Sequence, residues 1–154
     1  MVNETIKFNP PKADWGPGPW QDEPDRVDFH HVGFSCMMIR NHSGAWCGYV
    51  GIPNDHPLYK VSYHDVDLSA HGGLTYSNKC QSPICHTPTQ GYPEDVWWFG
   101  FDCSHAWDYT PGLVATMRRL GIKRLTLDKV ETYRDMNYVR GEVESLANQL
   151  KGYK

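Results

Sequence analysis

The stretch Val96-Trp97-Trp98-Phe99-Gly100-Phe101-Asp102 constrains the fold more than any other. Its aromatic side chains favour a β-strand, and they are too apolar to be left in water, so this strand belongs to the core. The chain then runs directly into Cys103-Ser104-His105-Ala106-Trp107-Asp108. Acids and a histidine therefore stand at the end of a buried element. A second polar cluster, Tyr63-His64-Asp65-Val66-Asp67 followed by His71-Gly72-Gly73-Leu74-Thr75-Tyr76, supplies a candidate opposite wall for the same pocket.

The remaining elements place that strand. Residues 31–40 and 45–52 are largely apolar, β-branched or aromatic, and Asn41-His42-Ser43-Gly44 between them reads as the turn of a hairpin. A further strand is expected over Val66 to Tyr76, kinked at Gly72-Gly73. Residues 77–95 hold three prolines and no periodicity and read as a loop. Thr110-Pro111-Gly112 starts a short helix with Leu113, Val114, Met117 and Leu120 on one face, ended by Gly121. Asp135 caps a second helix in which Met136, Val139, Val143, Leu146, Ala147 and Leu150 form one apolar stripe. Strands first and helices last predict an α+β fold, an antiparallel β-sheet with the C-terminal amphipathic helices packed on one face.

At 154 residues the chain suits a single domain spanning 1–154, long enough to bury roughly 70% of its unfolded surface. Residues 1–27 form an extended Pro/Gly-rich N-terminal arm, which Trp15 and Trp20 draw onto the core because they are unfavourable in water. Glu23-Pro24-Asp25-Arg26 reads as a turn with an internal ion pair. Six Trp, nine Tyr and five Phe outnumber nine Leu and five Ile, and a core of such large flat side chains leaves room for pockets.

The net charge of −3 divides into −3 over residues 1–30, −4 over 31–110 and +4 over 111–154. The overall sign excludes a general nucleic-acid binder, and Arg118, Arg119, Lys123 and Arg124 read as a solvated helical face. No segment approaches the roughly 20 apolar residues of a transmembrane helix, and residues 1–10 lack the apolar core of a signal peptide. Five cysteines without regular spacing do not make a disulfide framework, so a reducing, cytoplasmic setting is expected.

Several residue groups carry candidate chemistry. Asp102, His105 and Asp108, with His71 from the second cluster, are the candidate catalytic set: imidazoles plus carboxylates suit zinc, manganese or iron and the activation of water. The cofactor is otherwise open, a divalent metal being the one the donors allow. Asp67 and His71 on one continuous strand would stand about 13 Å apart, so only a sharp bend before Gly72 would let both reach one ion. A capped turn with His105 bonded to Asp108 explains the same residues without a metal. Tyr63, His64, Tyr76 and Arg26 are candidate binding residues: the aromatic rings suit stacking, and the guanidinium suits a carboxylate or phosphate. Cys80, Cys85 and His86 resemble a zinc knuckle without a fourth ligand, and a loop of reduced thiols or an opportunistic disulfide accounts for them more simply. Cys103 alternates with Phe101 and Phe99 and reads as core, although a thiolate paired with His71 or His105 would be a nucleophile.

The motifs Gly48-Tyr49-Val50-Gly51-Ile52-Pro53, His56-Pro57-Leu58-Tyr59, His71-Gly72-Gly73-Leu74-Thr75 and Trp98-Phe99-Gly100-Phe101-Asp102, with Gly18-Pro19-Trp20, Glu23-Pro24-Asp25-Arg26 and Tyr133-Arg134-Asp135-Met136-Asn137-Tyr138-Val139, resemble a family of small bacteriophage and prophage proteins. The resemblance covers most of the chain. It implies a phage-type accessory protein in the host cytoplasm, binding a host protein or a small ligand through an aromatic and His/Asp-lined cleft, and it carries no catalytic residue with it. The alternative is a small metal-assisted hydrolase or transferase acting on a phosphate-containing or nucleotide-like ligand.

Overall fold

The computed structural model describes residues 6–86, 95–122 and 131–153. Five strands, β1 (Arg26–His31), β2 (Phe34–Arg40), β3 (Trp46–Ile52), β4 (Tyr76–Lys79) and β5 (Trp97–Asp102), form one sheet in the order β1-β2-β3-β5-β4, with every pair antiparallel. Helices α1 (Pro111–Arg119) and α2 (Met136–Lys151) follow. The fold is α+β.

β2, β3 and β5 are buried on both faces, which is why their sequences read as continuous apolar runs rather than alternating ones. One face carries Phe34, Cys36, Met38, Trp46, Val50, Ile52, Phe99 and Phe101, and α2 lays Val139, Val143, Leu146, Ala147 and Leu150 over it. Gly48 makes this approach feasible. A Cβ there would stand 2.5 Å from Val143 Cγ2 and 2.6 Å from Phe101 Cζ. Asp135 caps α2 as expected, its carboxylate accepting from the Tyr138 N–H at 2.8 Å.

The hairpin β2–β3 turns where the sequence placed it, with Asn41 Oδ1 accepting from the Ser43 and Ala45 N–H groups. Strand β1 is additional. Its half-buried alternation starts at Arg26, inside the expected turn, and a Val32-Gly33 turn with both φ angles positive separates it from β2. The expected ion pair is also redistributed: Arg26 grips Asp28, whereas Glu23 and Asp25 meet Arg40.

No strand forms over Val66 to Thr75. Gly72 and Gly73 both take positive φ, Gly73 N–H closes a turn on Ala70 O, and Gln149 of α2 takes both backbone groups of Ser69 that a strand partner would have used. Part of the expected 77–95 loop is instead β4, followed by a Cys80–Cys85 disulfide; residues 87–94 lie outside the described residues. With that disulfide, cysteine usage no longer argues for a reducing compartment. No helix among the described residues is long and apolar enough to cross a membrane.

Helix α1 turns a different side inward from the one its apolar residues suggest. Pro111, Gly112, Val114 and Ala115 are buried, while Leu113 and Leu120 are exposed. The small residues win because the backbone itself makes the contact: Gly112 N–H donates to Ser43 O at 2.9 Å, and Ala115 packs with Trp15 and Trp20. α1 thus rests on the arm rather than on the sheet face that α2 covers. The arm is coiled into 3-10 turns at Lys12–Trp15 and Pro19–Asp22, with Trp15 and Trp20 both buried. Of the basic cluster, Lys123 and Arg124 lie outside the described residues, and Arg119 approaches Asp14 at 3.7 Å.

The arm is fastened by Arg40, whose side chain is fully buried. Its guanidinium donates to Glu23 at 3.0 Å, Asp25 at 2.9 Å, Gly44 O and Tyr133 Oη, and lies 4.4 Å from the Trp46 ring centroid. Glu23 also accepts from the Tyr133 hydroxyl, Trp46 Nε1–H and the Met136 N–H. One buried ion network therefore ties arm, hairpin and the start of α2 together.

Candidate functional site

Three segments meet beyond the end of β5. The first is the turn at Ala70–Gly73, which carries His71; the second is the 105–108 turn, closed by Asp108 N–H on His105 O at 2.9 Å. The third is the chain entering α2, which is drawn alongside by the Asp108–Thr132 bridge and places Arg134 and Tyr138.

Asp108 is the centre. It is 3% exposed, and its two oxygens accept from His71 Nε2 (2.9 Å to each), His105 Nδ1 (2.8 Å), the His105 N–H (3.0 Å) and Arg134 Nε (3.0 Å). Burial pushes its pKa up, but the bonds from His71, His105 and Arg134 outweigh burial and hold the carboxyl below its ordinary value. His71, itself buried, turns its other nitrogen to Tyr138 Oη at 2.8 Å. His105 stacks on Trp107 with centroids 4.8 Å apart and planes 5° from parallel, and Trp107 is 48% exposed. The bend at Gly72 is required here. A Cβ at that position would lie 2.2 Å from His105 Cε1.

One ring nitrogen each of His71 and His105 and an Asp108 oxygen all lie within 4.8 Å of one another, the one such group of three or more metal-ligating side chains among the described residues. These contacts serve two chemistries. With ring protons on His71 Nε2 and His105 Nδ1, Asp108 orients two imidazoles, leaving His105 Nε2 at the rim 4.0 Å from Asp102 Oδ1. With those protons removed, the three side chains would suit one divalent ion only by drawing closer than their present spread of up to 4.8 Å, because bonds of about 2.0–2.2 Å set tetrahedral neighbours roughly 3.4 Å apart. The surroundings fit that second use, because Tyr138 on His71 Nδ1 and Arg134 with the His105 N–H on Asp108 are the outer partners that hold metal ligands in place.

Of the sequence candidates, His71, His105 and Asp108 converge, and Asp102 stands at the rim, where it accepts from Thr75 Oγ1 and the Ser104 N–H. Asp67 is exposed and outside the donor group, so the bend before Gly72 brings in His71 alone. The four binding candidates go elsewhere. Tyr63 packs against the α2-side core with its ring 4.0 Å from that of exposed His64. Tyr76 packs edge-to-face on Tyr49 on the opposite sheet face. Arg26 is committed to Asp28 and to the carbonyls of Pro83 and Cys85. Cys103 is core: burial pushes its thiol far up, which removes it as a nucleophile.

The sequence reading missed Arg134 and Tyr138 as members of the site. Arg134 precedes the cap and Tyr138 lies off the apolar stripe, and only that departure from helical patterning set them apart. Compared with family models, curated proteins and solved structures, the chain matches none.

Proposed function

We propose that this protein is a small metal-assisted hydrolase or transferase acting on a phosphate-containing or nucleotide-like ligand, with His71, His105 and Asp108 as the metal ligands. The observation that supports this reading is the approach of His71 Nε2 to Asp108 at 2.9 Å across 37 residues of sequence. An ion held there would supply a Lewis acid and a water of lowered pKa. Arg134 keeps Asp108 oriented through Nε, and no hydrogen-bond acceptor among the described residues meets its outer nitrogens, which suit a phosphate oxygen. Trp107 offers an exposed aromatic face beside His105 for a base or sugar. Asp102, at the rim, accepts a proton from an attacking hydroxyl or water.

A panel of phosphate mono- and diesters and nucleotides, assayed with zinc, manganese or magnesium and with a chelator, tests this. Turnover should require the ion and fall at least about a hundredfold in Asp108→Ala, as for loss of a centre that activates water. The accessory reading, a phage-type protein that binds a host protein in the host cytoplasm, draws on the same exposed Trp107. Capture of a host protein that Trp107→Ala abolishes, without turnover on any ester, would favour it instead.

A further inference from the structure

The sheet face opposite α2 carries a covalent clasp, which the proposed reaction does not use. Cys80 follows β4 at one edge of the sheet, and its disulfide brings Cys85 back to a Cα–Cα distance of 4.8 Å. Inside this ring Gln81 and Ile84 exchange backbone hydrogen bonds of 3.2 and 2.9 Å. Arg26 reaches the ring from β1, the opposite edge, with β2, β3 and β5 between. Its guanidinium donates to Pro83 O at 3.0 Å and Cys85 O at 2.8 Å, and is itself held by Asp28. Four strand spacings amount to about 19 Å. Ring and guanidinium together fasten one edge of the sheet to the other.

Beneath the clasp lies the second core cluster. Ile84 packs on the cluster that holds Met37, Tyr49 and Trp98, and the His86 ring stands edge-on to Trp98 at 5.4 Å. Trp98 is 1% exposed, and no acceptor among the described residues meets its Nε1–H, so burial rather than a hydrogen bond shields that proton. The disulfide is the part of the clasp open to chemistry. Cys36, Cys47 and Cys103 are buried free thiols, whereas Cys80 is half-buried and followed by exposed Gln81, Ser82 and Pro83, so a reductant reaches it. Without the bond, Cys85 and its hold on Arg26 are joined to β4 only through the Gln81–Ile84 turn. An isolated two-stranded turn of that kind is marginally stable in water.

We propose that the Cys80–Cys85 disulfide is a redox latch: a dithiol reduces it, and the segment 80–86 then leaves Arg26 and uncovers Trp98. The dithiol's thiolate attacks Cys80 Sγ, and Cys85 departs as a thiolate that takes up a proton. The second thiol then attacks the mixed disulfide, freeing Cys80 as a thiol and leaving the reductant as a cyclic disulfide. Two electrons and two protons pass to the protein. Hydrogen exchange of the intact protein, oxidised and after dithiothreitol, tests this, with its indole and amide signals assigned by multidimensional NMR. Reduction should speed exchange of the Trp98 Nε1–H about thirtyfold, the weight of a cross-link that closes so short a loop, while the Val143 and Leu146 amides of α2 keep their rates. Cys80→Ser combined with Cys85→Ser should show the faster rate without reductant and no response to it. Arg26→Gln should speed the same exchange with the disulfide intact. Trp98 exchange unchanged by reduction, α2 amides that accelerate alongside it, a double variant that still responds to dithiothreitol, or an Arg26→Gln rate equal to that of the wild type overturns the proposal.

Discussion

Asp108 and Gly72 carry the site at the level of single residues. Asp108 faces two imidazoles and a guanidinium in a buried place, so Asp108→Asn leaves those donors with one oxygen and an amide that repels them. The expected loss is about 3 kcal/mol, as for removing one partner of a buried ion network, read from urea denaturation midpoints. Gly72→Ala acts through shape. Its Cβ overlaps His105 and its backbone sits at φ +69°, so a loss of about 1–3 kcal/mol is expected, together with a displaced His105 ring visible in its imidazole NMR signals. By contrast, Gly73→Ala meets no neighbour within 4 Å and has only the positive φ against it, so the ring signals should stay in place.

Among the elements, α2 does two jobs, covering the sheet with one side and delivering Tyr138 to His71 from its first turn. Leu146→Ala, which empties a fully buried position, should cost about 2–5 kcal/mol in a thermal or urea melt, while a metal titration of the folded fraction stays unchanged. The apolar stripe of α2, its cap and the hairpin were legible because each is written in local spacing. The continuous aromatic run of β5 was equally plain. Strand β1 was hidden by its alternating, half-polar edge character, and the false strand at 66–75 had the right residue types but two left-handed glycines and a glutamine partner 80 residues away. α1 misled for a related reason: a backbone-to-backbone contact at Gly112 leaves no apolar signature. The three-residue spacing of Asp102, His105 and Asp108 pointed to the site, but the arrival of His71, Arg134 and Tyr138 depends on how three distant segments stack.

For the molecule as a whole, the buried Arg40 network ties the arm to the sheet and to α2, and it makes stability depend on acid. Burial alone would raise the pKa of Glu23, but hydrogen bonds from Tyr133, the Met136 N–H, Trp46 and Arg40 outweigh it and hold the value below 4.5. A carboxyl with a depressed folded-state pKa stabilises the fold above its unfolded value, and that contribution disappears as pH falls through the folded one. Melting temperature should therefore fall below about pH 4.5, and Glu23→Gln, already weakened at neutral pH, should show a shallower acid slope. An unchanged slope would mean that other carboxylates govern acid unfolding.

Elemental mass spectrometry of protein purified without a metal-affinity tag decides whether His71, His105 and Asp108 hold one divalent ion. Close to one zinc, manganese or iron per chain is expected, lost in His105→Gln and Asp108→Ala and kept in His64→Ala and Asp67→Ala. Only trace metal in the wild type, with no uptake after incubation with each ion, would contradict it.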